Sequence, residues 1–108
     1  MISQVTVEAA SELLQGANPP MLIDVREPGE FAICRLPGGV LIPLGELARR
    51  VDEIEVEPER AIIVYCHHGI RSLSGAAILQ RAGFANVASM HGGIEAWSVR
   101  IDPSVPRY

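Results

Sequence analysis

Residues 64–72 read VYCHHGIRS and place one thiol, two imidazoles and one guanidinium within six consecutive positions. Cys66 follows a strongly apolar run, and four residues separate it from Arg71. If this loop curls into a helix start, free backbone N–H groups converge on one point and form a cradle for negative charge. Such a cradle stabilises a thiolate, the nucleophilic form of cysteine. The segment therefore predicts a nucleophilic Cys66 that acts on an anionic substrate.

The simpler interpretation of Cys66 is a small buried residue of the core, since free cysteine often only packs. Three neighbours favour function over packing. Gly69 allows backbone conformations that a Cβ would resist, Arg71 supplies a fixed positive charge, and Ser72 is expected to begin and cap the following helix.

The composition limits the class of protein. The 108 residues suggest one domain, residues 1–108, in which 48% apolar and 20% charged residues support a hydrophobic core. The net charge is −4 without a basic run, so we expect neither a nucleic-acid partner nor a membrane partner. All nine basic residues are arginine, which excludes Schiff-base chemistry and a P-loop lysine. We expect no cofactor.

The sequence start, MISQVTVEAASELL, lacks the basic segment of a signal peptide, and no apolar run is long enough to span a membrane. The two cysteines, Cys34 and Cys66, are therefore expected to be free thiols, and the protein is expected to be cytoplasmic.

Strand and helix signals alternate along the chain. We predict a first strand at ISQV, which the domain division places at residues 1–4, and further strands in MLIDV, VLI, AIIVY and NVASM. The predicted helices are VEAASELLQ with Thr6 as its cap, EPGEF, ELARRVDEI, SLSGAAILQRAG and IEAWSV, with a turn at EPER and an extended tail at 102–108. This order is typical of an α/β fold, a parallel sheet covered by helices on both faces.

Functional sites in such folds form at the carboxyl ends of the strands. Cys66 lies at that end of the most apolar strand. The same edge should gather Arg26 and Glu27, after MLIDV, and the segment His91, Gly92 and Gly93, after NVASM.

At this point the sequence resembles a known family. YCHHGIRS resembles the active-site loop of single-domain rhodaneses, which are sulfurtransferases, and LIDVREPGEF, RLPGGVLIP and MHGGIEAW resemble further family segments in the same order. The resemblance implies a rhodanese-like fold with a central parallel five-stranded sheet. Where the family commonly has Gly-His before its I-P-G segment, this chain has Cys34 and Arg35.

The resemblance also implies a reaction. Cys66 attacks the outer sulfur of a donor such as thiosulfate, sulfite leaves, and the cysteine persulfide passes its sulfur to cyanide, a thiol or a partner protein. Arg71 either binds the sulfonate of the donor or orders the loop. The substrate-binding loop implied is His67, His68, Gly69, Ile70 and Arg71.

Other polar residues have two interpretations each. Asp24 and Arg26 flank a strand end and are expected to form a supporting charge pair rather than to contact substrate. His67 and His68 invite a zinc hypothesis, but adjacent histidines without the usual ligand spacing are not typical of a zinc site, so no metal is expected. We expect them at the mouth of the pocket.

Cys34 could act as a resolving thiol, but packing is the favoured interpretation. His91 receives no role.

Two other classes of function stay open. A sulfur carrier or a non-catalytic binding module would share the fold, although the latter commonly lacks the cysteine. Phosphatases and arsenate reductases also pair a thiolate with an arginine, but across five intervening residues. The four residues found here enclose a smaller cradle, which favours a single sulfur atom over a phosphate.

Overall fold

The computed structural model describes residues 2–57 and 59–108. Met1, in the predicted first strand, and Pro58, in the predicted EPER turn, lie outside the described residues. The strands are β1 (Ser3–Val5), β2 (Met21–Asp24), β3 (Val40–Leu41), β4 (Ile62–Tyr65) and β5 (Val87–Met90). The helices are α1 (Val7–Leu14), α2 (Pro28–Ile33), α3 (Leu44–Arg50), α4 (Arg71–Arg81) and α5 (Gly93–Arg100), with a 3-10 turn at Val51–Glu53.

The five strands form one parallel sheet in the order β1-β5-β4-β2-β3. This confirms the predicted α/β class and the five-stranded parallel sheet. Strand β4 is central, pairs with β2 and β5, and is buried along its whole length. Its carboxyl end therefore opens at the middle of the sheet, where a loop has neighbours on both sides.

Helices cover both faces of the sheet, because successive side chains of a strand point to opposite faces. Ile63 and Tyr65 of β4 lie in a core shared with buried residues of α1 and α5. Ile62 and Val64 lie in a second core with buried residues of α3 and α4. The two cores hold β4, and with it the residue that follows, in a fixed position.

Local signals explain most helix boundaries. Thr6 caps α1 as predicted, since its Oγ1 accepts a hydrogen bond from the Ala9 N–H at 3.1 Å. Helix α2 has Pro28 in its first turn and a reciprocal capping box between Glu27 and Glu30. In the described ranges, no helix is both long enough and apolar enough to cross a membrane.

The segment 102–108, predicted as an extended tail, contains a turn. The carboxylate of Asp102 accepts hydrogen bonds from the Ser104 N–H and hydroxyl, and the Val105 N–H donates to the Asp102 carbonyl at 3.1 Å. Aspartate before proline favours such a turn. The chain consequently folds back, and Tyr108 lies against the residues around Cys66.

Candidate active site

Cys66 is the first residue after β4, and its side chain is buried. Its Sγ accepts hydrogen bonds from the Gly69 N–H at 3.2 Å and the Ser72 N–H at 3.3 Å. The predicted convergence of loop N–H groups on one point is therefore present, and the point is the sulfur itself. Donors placed in this way stabilise negative charge on sulfur.

The prediction that Ser72 begins and caps helix α4 is wrong. The helix begins at Arg71, its N-terminal flanking residue is Ile70, and no side chain caps it. The Ser72 N–H, which has no partner inside the helix, instead donates to Cys66 Sγ. The Ser72 hydroxyl is buried 2.6 Å from Ser89 Oγ and 3.5 Å from Cys66 Sγ. The cysteine thus takes the place of the missing cap.

The first turn of α5 holds the base of the loop. The N–H groups of Ile94 and Glu95 donate to the carbonyls of Cys66 and His67 at 2.9 and 3.1 Å. Gly93, at φ +62°, lies so close that an added Cβ would be 2.4 Å from the His67 oxygen and 2.5 Å from the Cys66 oxygen. Gly69, at φ +95°, provides the turn of the loop, as expected from the sequence.

Arg71 is engaged by Glu30 of α2. Its Nη1 and Nη2 donate to the two carboxylate oxygens at 2.7 and 2.8 Å. Hydrogen bonding to Arg71 lowers the pKa of Glu30 to about 2, and the same pairing raises the pKa of Arg71. Of the two predicted roles, ordering the loop is the one that this geometry favours.

The predicted charge pair of Asp24 and Arg26 is present and fully buried. Arg26 Nη2 donates to Asp24 Oδ2 at 2.7 Å and to the Cys34 carbonyl at 2.7 Å, while Nη1 donates to the Tyr108 hydroxyl at 3.0 Å. Since its guanidinium is enclosed, Arg26 links β2 to the segment after α2 and to the tail. This arrangement favours the supporting role predicted for Arg26 over contact with substrate.

His67 lies between two rings, those of His68 and Tyr108, each with a centroid distance of 3.9 Å. Burial, and then the charge of His68, lower the pKa of His67, which favours the neutral imidazole. Ligand atoms of His67, His68 and Glu95 lie within 4.8 Å of one another, close enough for one metal ion. Stacked rings direct their nitrogen lone pairs side by side, however, and Glu95 is already paired with Arg107. The cluster is therefore an aromatic stack rather than a tetrahedral ligand set.

Only some of the residues expected beside Cys66 at the sheet edge lie next to the loop. Gly92 and Gly93 adjoin the loop and Arg26 lies beneath the tail. Glu27 caps α2, and His91 is exposed, with its Nδ1 3.2 Å from Gln4 Oε1. The sequence reasoning did not identify Glu30 and Tyr108. The capping box locates Glu30 at a helix start, but no local signal connects it to Arg71, 41 positions later.

Cys34 is a buried free thiol after α2, as the packing interpretation predicts. Its backbone carbonyl, not its sulfur, makes the short hydrogen bond to Arg26. Substitution of Cys34 by alanine preserves that carbonyl, so we expect sulfur-transfer turnover to stay within about threefold of the wild type and the free energy of unfolding to fall by roughly 1–2 kcal/mol. Steady-state kinetics with a chemical denaturation curve tests this, and a large loss of turnover in a folded variant would make Cys34 a second reactive thiol.

Cys66 is buried at the end of a central parallel strand, and backbone N–H groups donate to its sulfur. A site of this kind can support covalent chemistry on a small electrophilic group. Among the described residues, Cys34 is the other cysteine, and it follows helix α2 rather than a strand end. The model of the rhodanese-like domain family matches residues 6–100. The chain belongs to the rhodanese-like domain family.

Similar proteins agree with this assignment. A protein of Allochromatium vinosum named sulfurtransferase is 31% identical over 98 residues, covering 91% of this chain and 90% of the relative. The rhodanese-like/PpiC domain-containing protein 12 of Arabidopsis thaliana is 43% identical over 89 residues, which is 81% of this chain but 30% of the relative. The reduced CoADR-RHD structure of Bacillus anthracis has a TM-score of 0.83 at 28% identity, covering 96% of this chain and 18% of that one. Several relatives are named as sulfurtransferases, alone or combined with an adenylyltransferase.

Proposed function

We propose that the protein is a sulfurtransferase that carries sulfane sulfur as a persulfide on Cys66. The observation that supports this most strongly is the pair of hydrogen bonds from Gly69 and Ser72 to the buried sulfur. These donors stabilise a thiolate before the reaction, and they remain beside the negative charge that the persulfide carries afterwards.

In the first half-reaction, the Cys66 thiolate attacks the outer sulfur of a donor such as thiosulfate. A bond forms between Cys66 Sγ and that sulfur, the S–S bond of thiosulfate breaks, and sulfite leaves with the electron pair. In the second, a thiophile attacks the outer sulfur and the Cys66 thiolate is released. Covalent catalysis of this kind predicts ping-pong kinetics.

The loop residues support these steps in different ways. Gly69 bends the backbone so that the N–H groups face the sulfur, and the Ser72 hydroxyl, 3.5 Å from Sγ, is placed to donate once the thiol has lost its proton. His67 and His68 form one wall, and the buried pair of Asp24 and Arg26 supports the sheet edge beneath.

The acceptor in this proposal is a thiol of a partner protein, or a small thiophile such as cyanide in an assay. Ile70, within the loop, is 74% exposed, so it offers an apolar contact beside Cys66 to an acceptor protein that docks on the loop. Relatives named adenylyltransferase and sulfurtransferase fit an acceptor on a protein.

Intact mass spectrometry tests the proposal directly. Incubation with excess thiosulfate, or with an alkyl hydropersulfide that has no other ionisable group, is expected to add one sulfur atom to the protein, and cyanide is expected to remove it. Cys66→Ser is the control for the site of addition. An unchanged mass with both donors, or an adduct that persists in Cys66→Ser, contradicts the proposal.

A further inference from the structure

Both carboxylate oxygens of Glu30 accept hydrogen bonds from neighbouring residues. Its Oε2 accepts from Arg71 Nη1 and the Glu27 N–H, and its Oε1 accepts from Arg71 Nη2 and the Tyr108 hydroxyl at 2.9 Å. With a pKa of about 2, caused mainly by the hydrogen bonds to Arg71, the carboxyl is ionised at any physiological pH. Glu30 therefore offsets the charge of the loop arginine permanently.

The other arginines that contact residues of the site are also paired. Arg26 is bound to Asp24, and Arg107 to Glu95. In the part of the chain that the structure describes, each of the three guanidinium groups around the loop therefore has its own carboxylate. Among these three described arginines, an arriving anion therefore finds no guanidinium without a carboxylate partner.

We infer that Glu30 determines donor specificity: by neutralising Arg71 it disfavours donors with anionic substituents, such as a sulfonate or carboxylates, and selects alkyl or peptidyl persulfides that carry no charge outside the reacting S–SH group. The inference rests on the proposed function. It sets aside one of the two roles expected from the sequence, in which Arg71 binds the sulfonate of thiosulfate, and keeps the other, in which Arg71 orders the loop. Thiosulfate, a dianion, would have to compete with Glu30 for the guanidinium of Arg71. At short range the negative charge of the Glu30 carboxylate also repels the thiosulfate.

The transfer that this inference favours is balanced without any further reagent. The Cys66 thiolate attacks the outer sulfur of R–S–SH, the S–S bond of the donor breaks, and R–S⁻ leaves with the electron pair. The outer sulfur keeps its hydrogen during the transfer, and Cys66–S–SH then loses this proton to R–S⁻ or to water, which leaves the negative charge beside the N–H groups of Gly69 and Ser72.

Two tripeptide hydropersulfides that differ only in charge test the inference: N-acetyl-Gly-Cys-Gly-amide, which is uncharged outside the reacting group, and N-acetyl-Asp-Cys-Asp-amide, which carries two carboxylates. The measurement is kcat/KM for each donor, divided by its rate constant with free cysteine to remove the difference in intrinsic reactivity. The wild type is expected to prefer the uncharged donor by about tenfold at low ionic strength, and added salt is expected to reduce this preference.

Glu30→Gln removes the charge while glutamine can still serve in the capping box of α2. This variant is expected to lose most of the preference, and its kcat/KM for thiosulfate is expected to rise by about tenfold. Glu53→Gln is the matched control, because Glu53 also pairs with one arginine, Arg50, through both carboxylate oxygens and its loss changes the net charge equally. The control should keep the preference of the wild type.

An unchanged preference in Glu30→Gln, or lower use of thiosulfate by a variant that still accepts the uncharged donor, overturns the inference. If Glu30→Gln does not fold, the inference is tested by the wild type alone, through the effect of salt on its preference for the uncharged peptide donor. A wild type that shows no such preference overturns the inference too. Failure of the proposed function has a different signature, since Cys66 would then accept sulfur from neither peptide.

Discussion

Cys66→Ser is expected to lose sulfur transfer by on the order of a thousandfold or more while remaining folded. A serine hydroxyl fills nearly the same buried space and can accept the N–H groups of Gly69 and Ser72 in place of the sulfur. It does not ionise near neutral pH, so the nucleophile is absent although the cradle remains. The free energy of unfolding should change by no more than about 1.5 kcal/mol, the value of a typical hydrogen bond.

The measurement is turnover with thiosulfate and with an uncharged persulfide, alongside a denaturation curve. Ser74→Ala is a suitable control, because Ser74 is an exposed residue of the same helix and its loss should leave turnover unchanged. Turnover by folded Cys66→Ser above about a tenth of the wild-type rate would remove Cys66 from the mechanism.

Gly93→Ala is expected to lower the free energy of unfolding by roughly 2–5 kcal/mol, the combined cost of a left-handed backbone and of overpacking. The added methyl group would meet the carbonyl oxygens of Cys66 and His67, which are backbone atoms and cannot rotate away. Relief requires the loop to move from α5, which breaks its hydrogen bonds to Ile94 and Glu95. Activity should therefore fall with stability.

Gly83→Ala separates the two costs of this substitution. Gly83 also has a positive φ, +106°, but nothing lies within 4 Å of an added Cβ. The free energy of unfolding of Gly83→Ala should fall only by the cost of the left-handed backbone, roughly 1–2 kcal/mol, and the variant should keep its turnover. If the two alanine variants are equally stable and equally active, the close approach of Gly93 to the loop has no importance for the site.

The sheet was predictable because its signals are local. Continuous apolar runs such as AIIVY are typical of strands buried on both faces, and Thr6 marks a helix start by its own chemistry. The position of Cys66 at a strand end followed from the same pattern. The error at Ser72 arose because a serine near a helix start resembles a cap, whereas here the sulfur accepts the N–H and the hydroxyl bonds Ser89.

The partners of the loop were not predictable in the same way. The pairing of Glu30 with Arg71 and the packing of Tyr108 on His67 join residues 41 positions apart in both cases. They depend on how α2 and the tail pack over the sheet edge, which no short segment specifies. The consequence is functional as well as structural, since the charge available to a substrate depends on these distant partners.

The backbone N–H groups observed to bond the carbonyls of Cys66 and His67 come from α5, a segment synthesised after the loop. The two donors, Ile94 and Glu95, follow Cys66 by more than 20 residues, as does Ser89, whose hydroxyl lies 2.6 Å from Ser72 Oγ. A chain still emerging from the ribosome therefore lacks the hydrogen bonds that hold the loop against α5. We therefore expect Cys66 to hold labile sulfur only after β5 and α5 have docked, so that this capacity depends on completion of the fold.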